Sequence, residues 1–118
     1  MEVMVLFADR NTITGEIEWF DHVANVQAPE HYDAERSMEY AFRRLQNLEG
    51  SWSMGPSIEY AGEMVKNGDY SAFIDVLKPL HRGHDGQLWG HRSVSMYDRM
   101  IVDGKIYEVD CIGFKEVA

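Results

Sequence analysis

His81, His84 and His91, with Asp85 beside them, are the cluster in this chain whose residue types could hold a transition metal. Zinc takes imidazole, thiolate and carboxylate ligands fixed on a rigid frame, usually four including water. The spacing His-x2-His-x6-His matches no established signature, and Gly83, Gly86 and Gly90 loosen the frame between the ligands. The segment therefore reads as a solvated turn, and no metal or other cofactor is expected. Cys111 is the single thiol. A nucleophilic thiolate needs an exposed, electropositive setting, whereas Glu108 and Asp110 surround this one with negative charge. The pairs Glu16/Glu18 and Glu108/Asp110 put two carboxylates on one face of a strand, which serves general acid–base chemistry but is also how the wet side of a sheet looks. With no GxSxG elbow, GxGxxG, P-loop or CxxC in the chain, the sequence points away from an enzyme.

Residues suited to recognition are easier to find. Arg36, Tyr40, Arg43, Arg44 and Asn47 fall on the polar side of one predicted helix and form the concentrated basic group of the chain. They can grip an anion or an acidic partner surface, or line a solvated helix face. Trp52, Met54, Trp89 and Tyr97 fall in loops or beside strand ends, where a large apolar side chain either plugs the core or anchors a partner. The candidate protein-contact residues are thus Trp52, Met54, Trp89, Tyr97, Arg36, Tyr40 and Arg43.

The elements that position them follow from periodicity and turn chemistry. Val3 to Phe7 is a continuous apolar run expected to be a strand buried on both faces. After a turn at Asp9-Arg10-Asn11, residues 12–19 alternate, with Ile13, Ile17 and Trp19 on one face, as an antiparallel partner strand does. Val23 and Val26 extend the sheet, and Pro29 interrupts it. Asp33 is a helix N-cap, Met38, Ala41, Phe42, Leu45 and Leu48 form one apolar stripe, and Gly50 is placed to close the C-terminus, which predicts a helix over 33–48. Strands are then expected at 58–62, 63–66 and 69–77, and an exposed loop at 80–90.

Asn67-Gly68, Asp85-Gly86 and Asp103-Gly104 are spaced by eighteen residues, and each suits a two-residue hairpin turn. The last pair fixes a register: Val102 opposite Lys105, Ile101 opposite Ile106, Met100 opposite Tyr107, and Arg99 opposite Glu108 as a cross-strand ion pair. Outward along that strand Tyr107, Val109 and Cys111 share a face, which predicts an inward Cys111, and a bulge at Gly113 would return Phe114 to the core. The expected architecture is a single α+β domain over residues 1–118. In it a mainly antiparallel sheet, built from an N-terminal hairpin and a C-terminal β-meander, packs on one principal helix.

Charge and composition limit the partners. A net charge of −9 is divided unevenly, −7 over residues 1–60 and −2 over the remainder. That sign disfavours direct binding to a phosphate backbone, which depends on clustered Lys and Arg. It fits a basic partner protein, or solubility alone. No run approaches the roughly 20 apolar residues of a membrane span, and the opening MEVMVLFADR does not look like a signal peptide. A lone cysteine fits a reducing compartment, so the expected location is cytoplasmic.

The stretch Gly90-His91-Arg92-Ser93-Val94-Ser95-Met96-Tyr97-Asp98, then Val102-Asp103-Gly104-Lys105-Ile106-Tyr107 and finally Gly113-Phe114, resembles the pattern of YodL-like domains in small proteins of phages and other mobile elements. That pattern is a "GH-[RS]-S-x-S-x-x-D" stretch, a hairpin, an aromatic-rich strand and a terminal "GF". It covers roughly the last thirty residues. Family members commonly carry Gly-Asp where this chain has Tyr97-Asp98. The resemblance implies a phage or plasmid accessory protein and carries no activity with it. The functional expectation is a non-enzymatic, phage-type accessory protein acting in the host cytoplasm by binding a host or viral protein. The alternatives are a virion or assembly component that forms homo-oligomers, and an acidic DNA mimic.

Overall fold

The computed structural model describes residues 1–77, 81–82 and 88–117. Its architecture is a mainly antiparallel sheet with one short helix. β1 (Glu2–Arg10) and β2 (Ile17–Gln27) form a long hairpin, followed by α1 (Ala34–Arg44), β3 (Ser57–Tyr60), β4 (Glu63–Lys66), β5 (Ile74–Val76), β6 (His81–Arg82), β7 (Leu88–Trp89), β8 (Arg99–Val102), β9 (Lys105–Val109) and β10 (Phe114–Glu116). Six strands make the main sheet in the order β10-β9-β8-β1-β2-β5, while β3-β4 and β6-β7 are separate two-stranded ribbons.

Alternation along the strands decides which face of the sheet is dry. Val3, Val5 and Phe7 of β1, Ala24 and Val26 of β2, Met100 and Val102 of β8, and Val109 of β9 are buried with Met38 and Ala41 of α1 and with Leu45, which caps its C-terminus. The intervening Met4 and Leu6 are only half-buried. β1 is therefore closed on its helix side alone, because the single helix covers one face of the sheet.

The hairpin of β8 and β9 has the register expected from its turn, with Val102 opposite Lys105 and Arg99 opposite Glu108. Asp103 and Gly104 have φ of 53° and 75°, the left-handed pair that a type I′ turn requires. The expected Arg99–Glu108 ion pair does not form. Arg99 places its guanidinium 4.2 Å above the Phe20 ring, and Glu108 pairs with Lys115 at 3.3 Å.

Other expectations are corrected. The first turn lies at residues 11–16 rather than 9–11, because the Asn11 side chain accepts from the backbone N–H groups of Ile13 and Thr14 and organises the loop. Ile13 is consequently 92% exposed instead of lying on a strand face. Asn67-Gly68 is not a hairpin turn. Ala61 and Gly62, with φ of 52° and 83°, turn β3 into β4, and Asn67 is a buried hub. Its amide donates to the carbonyls of Ser51 and Gly55, and its oxygen accepts from Ser51 N. The Asp85-Gly86 pair lies outside the described residues. β5 keeps only three of the residues expected to be extended over 69–77. β9 ends at Val109, and Asp110 N bonds Gly113 O in a tight turn, so Cys111 sits exposed at the tip. Gly113, with φ of 69°, turns the chain rather than bulging it; Phe114 still returns to the core edge against Phe42.

The helix stops at Arg44, one turn early, because its next residues are used by a segment far along the chain. Gln46 donates from its side chain both to Phe42 O, one of the open carbonyls of the helix end, and to Val94 O. Asn47 donates from its backbone to Ser93 Oγ and from its side chain to His91 O. Leu48, expected on the apolar stripe, is 80% exposed.

That distant segment, residues 90–98, is irregular yet buried at its end on Asp98. The Asp98 carboxylate is wholly buried and accepts four hydrogen bonds, from Ala8 N at 2.8 Å, Ser95 N at 2.8 Å, and both terminal nitrogens of Arg92 at 2.6 and 2.7 Å. The Arg92 guanidinium also lies 4.2 Å above the Phe7 ring. Removing one partner of such a pair leaves the other groups desolvated and unpaired, so Asp98→Ala is expected to cost about 3–5 kcal/mol in urea unfolding. Arg92→Ala should cost about as much, because it strips the wholly buried carboxylate of its countercharge and two of its four hydrogen bonds. A loss below about 1 kcal/mol for either variant would contradict this reading.

Candidate protein-binding site

One side of α1 carries a row of alternating rings and guanidinium groups, Arg36 and Arg44 exposed and Tyr32 and Tyr40 half-buried. Asp33 caps the helix by accepting from Arg36 N at 2.8 Å, and Tyr32 N bonds Pro29 O in the turn before it. Tyr32 is thereby fixed one turn before the run Arg36, Tyr40, Arg44, whose members recur every four residues and so share one side of the helix. The Arg36 guanidinium lies 4.2 Å from the Tyr32 ring centre, and that of Arg44 lies 5.2 Å from the Tyr40 ring centre. Tyr32 and Tyr40 meet edge to face at 6.2 Å, and His31 packs edge to face on Tyr32 at 4.8 Å. Arg43 makes a 3.8 Å ion pair with Glu39, both side chains well exposed, which contributes little to stability.

The arrangement suits recognition. Three of the four basic residues among the first sixty gather on this helix, although that half of the chain is net acidic. A guanidinium laid over a ring at an exposed site gains only about 0.5–1 kcal/mol. Stacking nevertheless holds its plane while leaving the N–H edge free to meet a carboxylate, so less side-chain entropy is lost on binding. Tyrosine and arginine are also the types that, with tryptophan, concentrate binding energy at interfaces.

The structure separates the other sequence-selected residues. Trp52 is 1% exposed and takes the core role of the two weighed for it. Its indole N–H donates to Arg92 O at 2.7 Å and its ring stacks on His91 at 5.7 Å, so it is no surface anchor. Met54 is half-buried in the same loop. Tyr97 is 43% exposed with the Arg10 guanidinium 4.9 Å from its ring centre. The side chain of Trp89 lies outside the described residues, as do those of His81 and His84. His91 is packed between Trp52 and Phe7, and among the described residues no group of three potential metal ligands occurs. Asn47, expected beside the arginines, instead ties the end of the helix to residues 91–93.

Tyr97 holds φ of 75°, a conformation that glycine adopts freely and a bulky residue adopts at a cost.

Tyr32 was not among the residues selected from the sequence, and the strands expected at 58–62 and 63–66 form as β3 and β4 without their exposure having been foreseen. Tyr32 was legible as the residue four before Arg36, but it lies outside the helix proper. The β3-β4 arm exposes Tyr60 at 71% and Met64 at 69%, and nothing in their types marked them as projecting. No protein-family model, curated protein or solved structure matches the chain.

Trp52→Ala is expected to cost about 3–5 kcal/mol in denaturant unfolding, while Arg36→Ala and Arg43→Ala should stay within about 0.5 kcal/mol of the parent. A mild Trp52→Ala would return that residue to the surface role. Tyr97→Gly relieves a left-handed residue and should cost less than about 0.5 kcal/mol. A loss above about 2 kcal/mol would show instead that the Tyr97 ring is a structural contact.

Proposed function

We propose that this protein is a non-enzymatic, phage-type accessory protein that acts by binding a host or viral protein through the tyrosine–arginine face of α1. The observation that carries the reading is the row Tyr32, Arg36, Tyr40, Arg44, in which both exposed guanidinium groups are stacked on half-buried tyrosine rings before any partner arrives. Its chemistry fits an acidic surface with room for flat rings. The resemblance of residues 90–98 and the terminal strands to YodL-like domains supports the phage or plasmid setting. Self-association, as in a virion or assembly component, is a second reading, favoured by the exposed apolar residues of β3 and β4.

The test is affinity capture with crosslinking from lysate of the bacterial host, comparing the parent with Arg36→Glu/Arg44→Glu, after circular dichroism has shown equal folding. A specific partner whose recovery falls about tenfold or more, the loss of at least one hot-spot residue, supports the reading. A partner recovered equally by both proteins would place the interface elsewhere and overturn it.

A further inference from the structure

We propose that the β3-β4 arm of one molecule docks on the tyrosine–arginine face of α1 in a second copy, so that a target protein must displace the arm to reach that face. The proposal rests on the reading of this face as a protein contact and names its resting occupant.

Among the described residues β3 and β4 pair with each other and with no further strand, and a two-stranded ribbon alone is marginally stable in water. The register puts Ile58 beside Val65 and Tyr60 beside Glu63 on one side of the ribbon. That side is an apolar strip ending in an acid, and Tyr60, Glu63 and Val65 are exposed. The base is held rigidly by the buried Asn67, whose backbone N–H bonds Pro56 O across the foot of the ribbon. A fixed base and an uncovered shaft describe an arm presented to another molecule.

Chemistry and length select the occupant. The arm offers an aromatic ring, two aliphatic side chains and a carboxylate, and the α1 face offers two rings and stacked guanidinium groups. The strip supplies the negative charge that the row lacks, and the row supplies the positive charge that the strip lacks. Ile58 and Tyr60, two positions apart, span about 7 Å of strand, and Arg36 to Arg44 span about 12 Å of helix, so the strip covers roughly half of the row. The patch is small, which places the contact among weak, exchangeable ones that a better-fitting target displaces. Because arm and helix face are different surfaces, the contact closes as a reciprocal pair or a ring, or continues as a chain.

Sedimentation velocity from about 10 μM to about 1 mM, at low and high salt, tests this directly. Three proteins are compared: the parent, the arm variant Tyr60→Ala/Glu63→Arg and the helix variant Arg36→Glu/Arg44→Glu. The parent should gain mass with concentration, and high salt should weaken that association. Each variant alone should stay monomeric, and an equimolar mixture of the two should associate again, since the mixture brings an intact arm to an intact helix face. A parent that remains monomeric throughout, variants that associate like the parent, or a mixture that fails to recover overturns the proposal. If the helix variant loses the captured target yet self-associates like the parent, arm docking fails while the proposed function stands. If it self-associates no longer yet captures the target unchanged, arm docking stands and the proposed function fails.

Discussion

The Asp98 carboxylate has been removed from water and given four donors in exchange, and it ties the irregular segment 90–98 to the end of β1. Ala8 supplies the end of β1, Ser95 and Arg92 supply the irregular segment, and Asp98 itself leads directly into β8. A buried charge left with an empty lone pair is costly. The segment can therefore take only the path that delivers both N–H groups and the flat guanidinium together. That path then dictates the rest: Val94 N meets Leu45 O, Ser93 and His91 take Asn47, and Arg92 O receives the indole N–H of Trp52. Helix, tryptophan loop and sheet are thus tied by one strip of backbone without regular structure.

Such a tie gives buried polar groups, Asp98 and Asn67 among them, a structural role inside a small protein. Gly90 illustrates the closeness of the fit, since a Cβ there would come within 2.3 Å of Ser51 Oγ. With the inner side of α1 committed to the sheet, its outer side is left to the tyrosines and arginines, and the Asn67 hub leaves β3 and β4 projecting. Rigid anchoring of both surfaces is what a recognition function needs, because ordering costs are met in folding rather than on contact.

Local chemistry made part of this legible in the sequence. The Asp103-Gly104 turn and its register follow from backbone preferences that act within four residues, and Asp33 caps α1 for the same reason. The helix end was not legible, because Gln46 and Asn47 answer to residues 91–94, and an apolar period continuing through Leu48 carries no sign of that competition. Asn67-Gly68 misled because an Asn side chain can template a loop as readily as a turn. At the site, the arginines and Tyr40 were visible from helical spacing. The burial of Trp52 depended on a carbonyl forty residues away, and the burial of Asp98 depended on an N–H ninety residues away.

Residue-resolved hydrogen exchange on the free protein tests the central claim most directly. If the Asp98 carboxylate organises the structure, the amides of Ala8, Ser95 and Val109 exchange only through global unfolding, as slowly as those of the central strands, while the amides of β3 and β4 exchange through low-energy opening. Rapid exchange at Ser95 and Ala8, at the rates of an ordinary surface loop, would contradict the account.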